Sequence, residues 1–248
     1  MFRRALLAAV LTLPALAATA QTAPPARSAV LVHGAFADGS SYAAVIPLLQ
    51  QAGLQVIAVQ NPLTSLKDDV AATRRALALV DGPAVLVGHS YGGTVISEAG
   101  DDPKVSALVY LAALGLEPGE TFADVGKRFA PGPGLGTLQA RDGFVQMSTD
   151  GFVRFFMPDV PEARARAMAA AQGPVAATLF DDKTTRAAWQ SKPSFYALAT
   201  QDQMLPEAMQ RFFATRMKAT VAEVPASHAL PVSQPEAVAR VILQAAGR

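Results

Sequence analysis

One serine in this chain is set up to act as a nucleophile. It lies in Gly88-His89-Ser90-Tyr91-Gly92-Gly93, behind the apolar run Ala84–Val87 and ahead of Thr94-Val95-Ile96-Ser97-Glu98-Ala99. The first run has the pattern of a strand buried on both faces, and the second can start a helix. A chain that turns this sharply from strand to helix strains its central residue. Side chains two residues before and after would collide, which suits glycine at 88 and 92. The Ser90 hydroxyl then stands free at the carboxyl end of the strand. The alternative is a glycine-rich turn carrying a solvent serine; the flanking strand, the flanking helix and Gly93 favour the sharp turn.

A serine hydroxyl is a poor nucleophile at neutral pH. It needs a base within hydrogen-bond reach and a third group that holds the base in the right tautomer. The chain has three histidines. The turn should aim His89 away from Ser90, and His33 ends the first strand. His228, in Ala226-Ser227-His228-Ala229-Leu230, lies on a loop at the carboxyl edge and is the expected base. The expected acid is Asp202, just after the strand that ends near Thr200, with Glu117 as its competitor. Acyl transfer through such a set needs two backbone N–H donors for the developing oxyanion. Tyr91 supplies one, directly after the nucleophile. The loop His33-Gly34-Ala35-Phe36 supplies the other, with Ala35 as the expected donor, Gly34 allowing close approach and Phe36 left to line the pocket.

The elements that must position these groups read as alternating strands and helices. Strands are expected at 28–33, 54–59, 84–89, 105–112, 194–200 and 220–224. Helices are expected at 41–51, 66–80, behind Ser90, at 206–218 and at 234–246. Alternation of this kind makes an α/β fold, with a mostly parallel sheet of about six strands covered on both faces. The rhythm breaks from Gly115 to about residue 190, where no buried strand is evident. Pro131-Gly132-Pro133-Gly134 reads as a loop, followed by helical pieces rich in Phe, Met and Ala. This stretch is expected to be an inserted helical cap. Its Phe152 and Phe156 are expected to face substrate, and its aromatic and Met content as a set predicts a mostly apolar site.

The two ends and the composition limit the remaining possibilities. Arg3 and Arg4 precede an apolar run, Ala5–Ala17, and Ala18-Thr19-Ala20 offers the small residues of a cleavage site. Residues 1–20 therefore read as a secretory signal peptide, too short to span a bilayer, and 21–27 as a lead-in to a domain over 28–248. A signal implies export, in a bacterium to the periplasm or the medium. The chain has no Cys, so neither disulfides nor thiolate chemistry is open to it. Removing Arg3 and Arg4 takes the formal charge from +1 to −1, which gives no electrostatic basis for binding nucleic acid or an anionic membrane.

The chain resembles the α/β-hydrolase superfamily, and within it the small carboxylesterases related to plant methyl esterases and hydroxynitrile lyases. The resemblance rests on four stretches in order: His33-Gly34-Ala35-Phe36-Ala37-Asp38-Gly39-Ser40-Ser41, Gly88-His89-Ser90-Tyr91-Gly92-Gly93, the strand reaching Asp202, and Ser227-His228. It implies the strand order 4-3-5-6-7-8 in the family's numbering, since the two usual first strands have no room after Gln21. It also implies neither cofactor nor metal. Tyr42 stands where many relatives carry Trp, a change expected to reshape one wall. The function implied is hydrolysis of small to medium, fairly hydrophobic carboxylic esters through an acyl-enzyme. Lyase and cofactor-free perhydrolase or haloperoxidase-like reactions are the alternatives on the same residues. For the lyase, relatives place Lys after the catalytic histidine and Thr after the residue matching His33; here those positions are Ala229 and Gly34.

Overall fold

The central strands are almost wholly apolar and almost wholly buried. In the computed structural model, which describes residues 25–248, β1 (Ser28–Val32), β3 (Ala84–His89) and β4 (Val105–Leu111) lie inside a six-stranded sheet. The sheet also contains β2 (Gln55–Ala58), and all its pairings are parallel. Two later strands of the chain, Ser194–Ala199 and Thr220–Val224, complete it, giving the spatial order Gln55–Ala58, β1, β3, β4, Ser194–Ala199, Thr220–Val224. This is the order the resemblance implies. The outermost strands are the least buried, as edge strands should be.

Side chains alternate between two cores, as the two-residue period of a strand requires. Val30, Leu86, Leu108, Tyr110 and Tyr196 enter one core, which continues into the residues of the insert. Leu31, Val85, Val87, Val109 and Ala197 enter the other. Helix α1 (Val45–Gln51) and the helix Pro235–Ala245 supply residues to the second core. Helices α2 (Leu66–Ala78), α3 (Gly92–Ala99) and Glu207–Arg216 supply the first. Observed ends fall within one or two residues of the expected ones, except that the helix expected over 41–51 is split into a 3-10 turn, Gly39–Tyr42, and α1. The residues expected to be a signal peptide, and most of the lead-in, lie outside the described residues. Ala26 and Arg27 are already tied to the domain, through Ala26 N–H to Ala246 O and Arg27 N–H to Pro83 O. Among the described residues no helix is long and apolar enough to cross a membrane.

The insert is less helical than its composition suggests. It opens with α4 (Phe122–Gly126) and contains helix Glu162–Ala171, but between and beyond these runs a small antiparallel sheet. Its strands are β5 (Leu138–Arg141), β6 (Phe144–Met147) and β7 (Val175–Ala176). The first two face water over much of their length, so no buried apolar run marks them. The signal that does exist is Asp142-Gly143. Both residues have positive φ, 49° and 81°, and they close a two-residue hairpin between Arg141 and Phe144.

Candidate active site

Ser90 sits where β3 breaks into α3, with φ at 54°. A side chain at position 88 would place its Cβ 2.5 Å from Gly92 O, so the sharp turn closes only with glycine there. His228 lies on the loop after Thr220–Val224, and its Nε2 is 2.9 Å from Ser90 Oγ. Its Nδ1 is 2.6 Å from Asp202 Oδ2, and the pair is shielded from solvent. A carboxylate only accepts, so Nδ1 carries the proton and Nε2 accepts from the Ser90 hydroxyl. The three residues thus form one proton-transfer line. Glu117 is not near it: its backbone N–H donates to Glu120, and its carboxylate lies 3.8 Å from Arg216.

The acid is itself fixed. Asp202 Oδ1 accepts from Met204 N–H at 2.7 Å and Leu205 N–H at 2.9 Å, while Oδ2 also accepts from Gln210 at 3.1 Å. Gln210 is fully buried and spans Ala199, Leu205 and Asp202. Sequence reasoning missed it, because a lone Gln on an amphipathic helix carries no signal of its own.

His89 does point away from Ser90, yet it is not idle. Its Nε2 lies 2.8 Å from the backbone oxygen of His228, an acceptor only, so this nitrogen donates. Burial holds its pKa well below the ordinary histidine value, so the ring stays neutral. It braces the loop that carries His228.

The His33–Phe36 loop approaches Ser90 closely. A Cβ on Gly34 would lie 2.7 Å from Ser90 Cβ, so no larger residue fits without moving the serine. His33 is buried, and burial lowers its pKa as well. Asn61 N–H donates to its Nε2 at 2.9 Å, which leaves the proton on Nδ1. That Nδ1–H donates to Gly34 O at 2.8 Å. In a trans peptide C=O and N–H point opposite ways, so holding Gly34 O turns Ala35 N–H in the other direction. Among the described residues neither Ala35 N–H nor Tyr91 N–H finds a backbone acceptor.

A cavity of about 220 Å³ opens beside Ser90. Phe36, Tyr91, Leu114, Phe122, Leu138, Phe156, Phe180, Met204 and Leu205 line it, and among the described residues His228 is the sole ionisable group on its wall besides the Tyr91 phenol. Phe36 and Phe156 therefore stand where the sequence places them. Phe152 does not: it lies behind Phe156, rings stacked 4.7 Å apart, and is packed away from the cavity. Tyr42 forms no wall either; it is buried, with its hydroxyl donating to Val32 O. Phe180, whose ring meets both Phe36 and Phe122, was not singled out in the sequence. Past Phe122, Ala123 and Leu135 the apolar surface continues into an open trough with Phe129, Pro206 and Met209.

The insert also reaches the histidine loop. Phe156 sets its ring edge-on to His228, 4.8 Å between centroids. Asp159 accepts from Ser227 N–H at 2.8 Å and from Ser227 Oγ at 2.5 Å. The segment that ends at Phe156, Phe152–Phe156, is a turn of π-helix, a form often found at functional sites.

Comparison with known proteins agrees with this fold. The sequence profile of the alpha/beta hydrolase family matches residues 29–241, so the chain belongs to that family. Within it the protein is a carboxylic ester hydrolase. The chain is 32% identical over 244 residues to a pyrethroid hydrolase of Sphingobium wenxiniae, covering 86% of this chain and 85% of that one. The crystal structure of a pyrethroid hydrolase from Sphingobium faniae superposes with a TM-score of 0.76 at 26% identity, covering 90% of this chain and 98% of that one. Polyneuridine aldehyde esterase gives a TM-score of 0.75 at 19% identity, over 88% and 98% of the two chains, a likeness of fold.

Proposed function

We propose that the protein is an exported serine esterase for uncharged, hydrophobic carboxylic esters, with pyrethroid-type esters as candidate substrates. The observation that carries the reading is the line Ser90–His228–Asp202 opening onto a cavity whose walls are nearly all carbon. A charged substrate would be desolvated there without a partner, which is costly. The pyrethroid hydrolase relative supports bulky esters in particular. The trough beyond Leu135 gives a large ester room for a second arm.

In this mechanism Ser90 Oγ attacks the ester carbonyl while its proton passes to His228 Nε2. The carbonyl oxygen, now an anion, is held by the N–H groups of Ala35 and Tyr91. The imidazolium, stabilised by Asp202, gives its proton to the departing alkoxide, and the C–O bond breaks to leave an acyl-Ser90. Water then attacks the acyl carbonyl as His228 takes its proton. The second tetrahedral intermediate collapses, its C–Oγ bond breaking as His228 returns the proton to Ser90 Oγ, to leave the acid and free serine. Gly34 and Ala229 bear neither the hydroxyl nor the charge that cyanohydrin cleavage would call on, so hydrolysis is preferred over the lyase reaction.

The test is turnover of nitrophenyl esters of graded acyl length and of a pyrethroid ester, with and without a serine-directed phosphonate, together with amino-terminal sequencing of the exported protein. Turnover blocked by labelling at Ser90 and a terminus near Gln21 are expected. Mandelonitrile cleavage that rivals ester cleavage, or activity untouched by the phosphonate, would overturn the esterase reading.

A further inference from the structure

Asp69 is a buried carboxylate with no place in the mechanism above. It lies one turn into α2 and is fully shielded from solvent. It does not cap the helix, because Ser65 does. No cation offsets its charge among the groups that act on it; its carboxylate neighbours Asp68 and Asp182 make matters worse. Burial lifts its pKa to about 6, so at neutral pH it is mostly ionised. An ion kept inside a protein at that cost must be held by strong donors.

Its two donors lead to the two sides of the oxyanion hole. Oδ2 accepts from the Tyr91 hydroxyl at 2.8 Å, and the backbone N–H of Tyr91 is one oxyanion donor. Oδ1 accepts from Leu63 N–H at 2.9 Å, with Leu63 in a left-handed conformation at φ 58°. Two residues earlier, Asn61 grips His33 from two directions, N–H to Nε2 and side-chain amide to His33 O at 3.0 Å. His33 in turn holds Gly34 O and so turns the N–H of Ala35, the other donor. One carboxylate thereby anchors both arms.

We propose that Asp69 is a positioning residue for the oxyanion hole, fixing Tyr91 with one oxygen and, through Leu63, Asn61 and His33, the Ala35 N–H with the other. The proposal rests on the serine-esterase mechanism. It places Asp69 in no contact with substrate, and its effect on the reaction passes wholly through the aim of the two N–H groups. The same cluster receives the insert, because Ala176 N–H donates to Leu63 O and Asp182 accepts from Leu66 N–H.

The experiment compares wild type with Asp69→Asn, Tyr91→Phe and the double variant. Active sites are counted by phosphonate labelling at Ser90, so kcat is expressed per competent site. An Asn carbonyl can accept from one of the two donors while its amide NH2 faces the other. We expect kcat per labelled site in Asp69→Asn to fall on the order of tenfold to a hundredfold. Affinity for a trifluoromethyl ketone, which forms an oxyanion on Ser90, should fall in proportion. KM and the acid limb of the kcat/KM profile should stay where they are, since Asp202 and His228 are untouched. Tyr91→Phe should lose less, and the double variant should be no worse than Asp69→Asn alone. A lower Tm with unchanged kcat per labelled site and unchanged ketone affinity would make Asp69 a purely structural residue and overturn the proposal. Should Asp69→Asn fail to fold, Tyr91→Phe decides alone, because it removes one oxygen and leaves the ring. Full turnover and full ketone affinity there would overturn the proposal. Wild type that is neither labelled at Ser90 nor active on esters sinks the mechanism and the proposal together, whereas labelled wild type with indifferent variants sinks only the role of Asp69.

Discussion

Ser90 and Phe156 line the same cavity, but they are held there by different physics. Ser90 is fixed by the covalent path of a strand that turns into a helix, by glycine at 34 and 88, and by a directional bond to His228. Phe156 rides on an insert and is held by ring contacts, 4.7 Å to Phe152 and 4.8 Å to His228. Hydrogen bonds weaken steeply with angle and distance, so the frame either works or fails. Apolar contact is nearly non-directional and scales with area, so the insert can be altered by degrees. Chemistry is therefore expected to break at the sheet edge, and selectivity to drift in the insert. The two regions meet where Asp159 of the insert clamps Ser227, the neighbour of His228.

The sharpest way to break this contrast is at Ser90 and His228. Ser90→Ala and His228→Ala should each lower kcat by at least about ten-thousandfold with the fold intact, since such residues act as a unit. Circular dichroism with single-turnover kinetics checks it, and wild-type turnover in a folded Ser90→Ala protein would remove the frame from the chemistry. Next in size is the acid. Asp202→Asn keeps the shape but removes the acceptor that sets the His228 tautomer, and about a thousandfold loss is expected. Glu117→Gln, which alters only a contact with Arg216, should leave kcat/KM within about twofold on that geometry. A reversal of these two results would reassign the acid.

The frame was far more legible in the sequence than the insert, for a physical reason. A strand buried on both faces must be written in Val, Leu, Ala and Gly, and a strained turn must be written in glycine, so β1, β3 and the Ser90 turn announce themselves. With three histidines, elimination pointed to His228 and chain order to Asp202, and the structure brings those residues together with Ser90. Gln210, Asn61 and Asp69 were illegible, because what matters about each is a partner far away in sequence. In the insert, β5 and β6 escaped because half-exposed strands leave no apolar run, although Asp142-Gly143 marked their hairpin. Phe152 and Phe156 looked alike in sequence. At a spacing of four on one helical turn the two residues share a face, and sequence cannot say which of them is nearer the cavity.

His89 belongs to the frame but touches no reacting atom, so an intermediate effect is expected there. Sequence reasoning placed it only as aimed away from Ser90, which the structure bears out; its bond to His228 O adds a bracing role that the sequence did not show. His89→Ala should lower kcat by about threefold to tenfold, through slack in the His228 loop. His89→Gln, which can still donate to that oxygen, should recover part of the loss. The same residue carries a stability signature. Its pKa is lowered by burial in the folded state and ordinary in the unfolded chain, so below about pH 6.5 the unfolded chain binds more protons. Native stability therefore falls as pH drops through that value, by up to about 1.4 kcal/mol per pH unit from this one group. His33 adds a penalty of the same sign, and Asp69, whose folded pKa is raised, opposes both. Urea titrations from pH 7.5 to 5.5 should show a flatter decline in His89→Gln than in wild type. Parallel curves would mean the ring is not a buried neutral base.

The smallest effect separates the two stacked phenylalanines. Both are buried to the same degree, so either truncation costs packing energy, and stability alone cannot tell them apart. Their positions differ in what lies on the other side of the ring: Phe156 faces the cavity and His228, whereas Phe152 faces Phe156 and a small gap between the insert and the loop 36–41. Leu in place of either ring keeps an apolar side chain and limits the cavity left behind. Phe156→Leu changes the shape of the wall a substrate meets. It should alter the ratio of kcat/KM values between long and short acyl esters by about threefold to fivefold, the size expected for a small change in an apolar pocket. Phe152→Leu should lower Tm by a similar amount while leaving that ratio within about 1.5-fold, because its ring does not line the substrate cavity and acts on it only through neighbours such as Phe156 and Phe36. Equal shifts in the ratio from both variants would mean that the insert moves as one body against the sheet edge. The contrast between a rigid frame and a graded wall would then give way to a single mobile unit that sets selectivity as a whole.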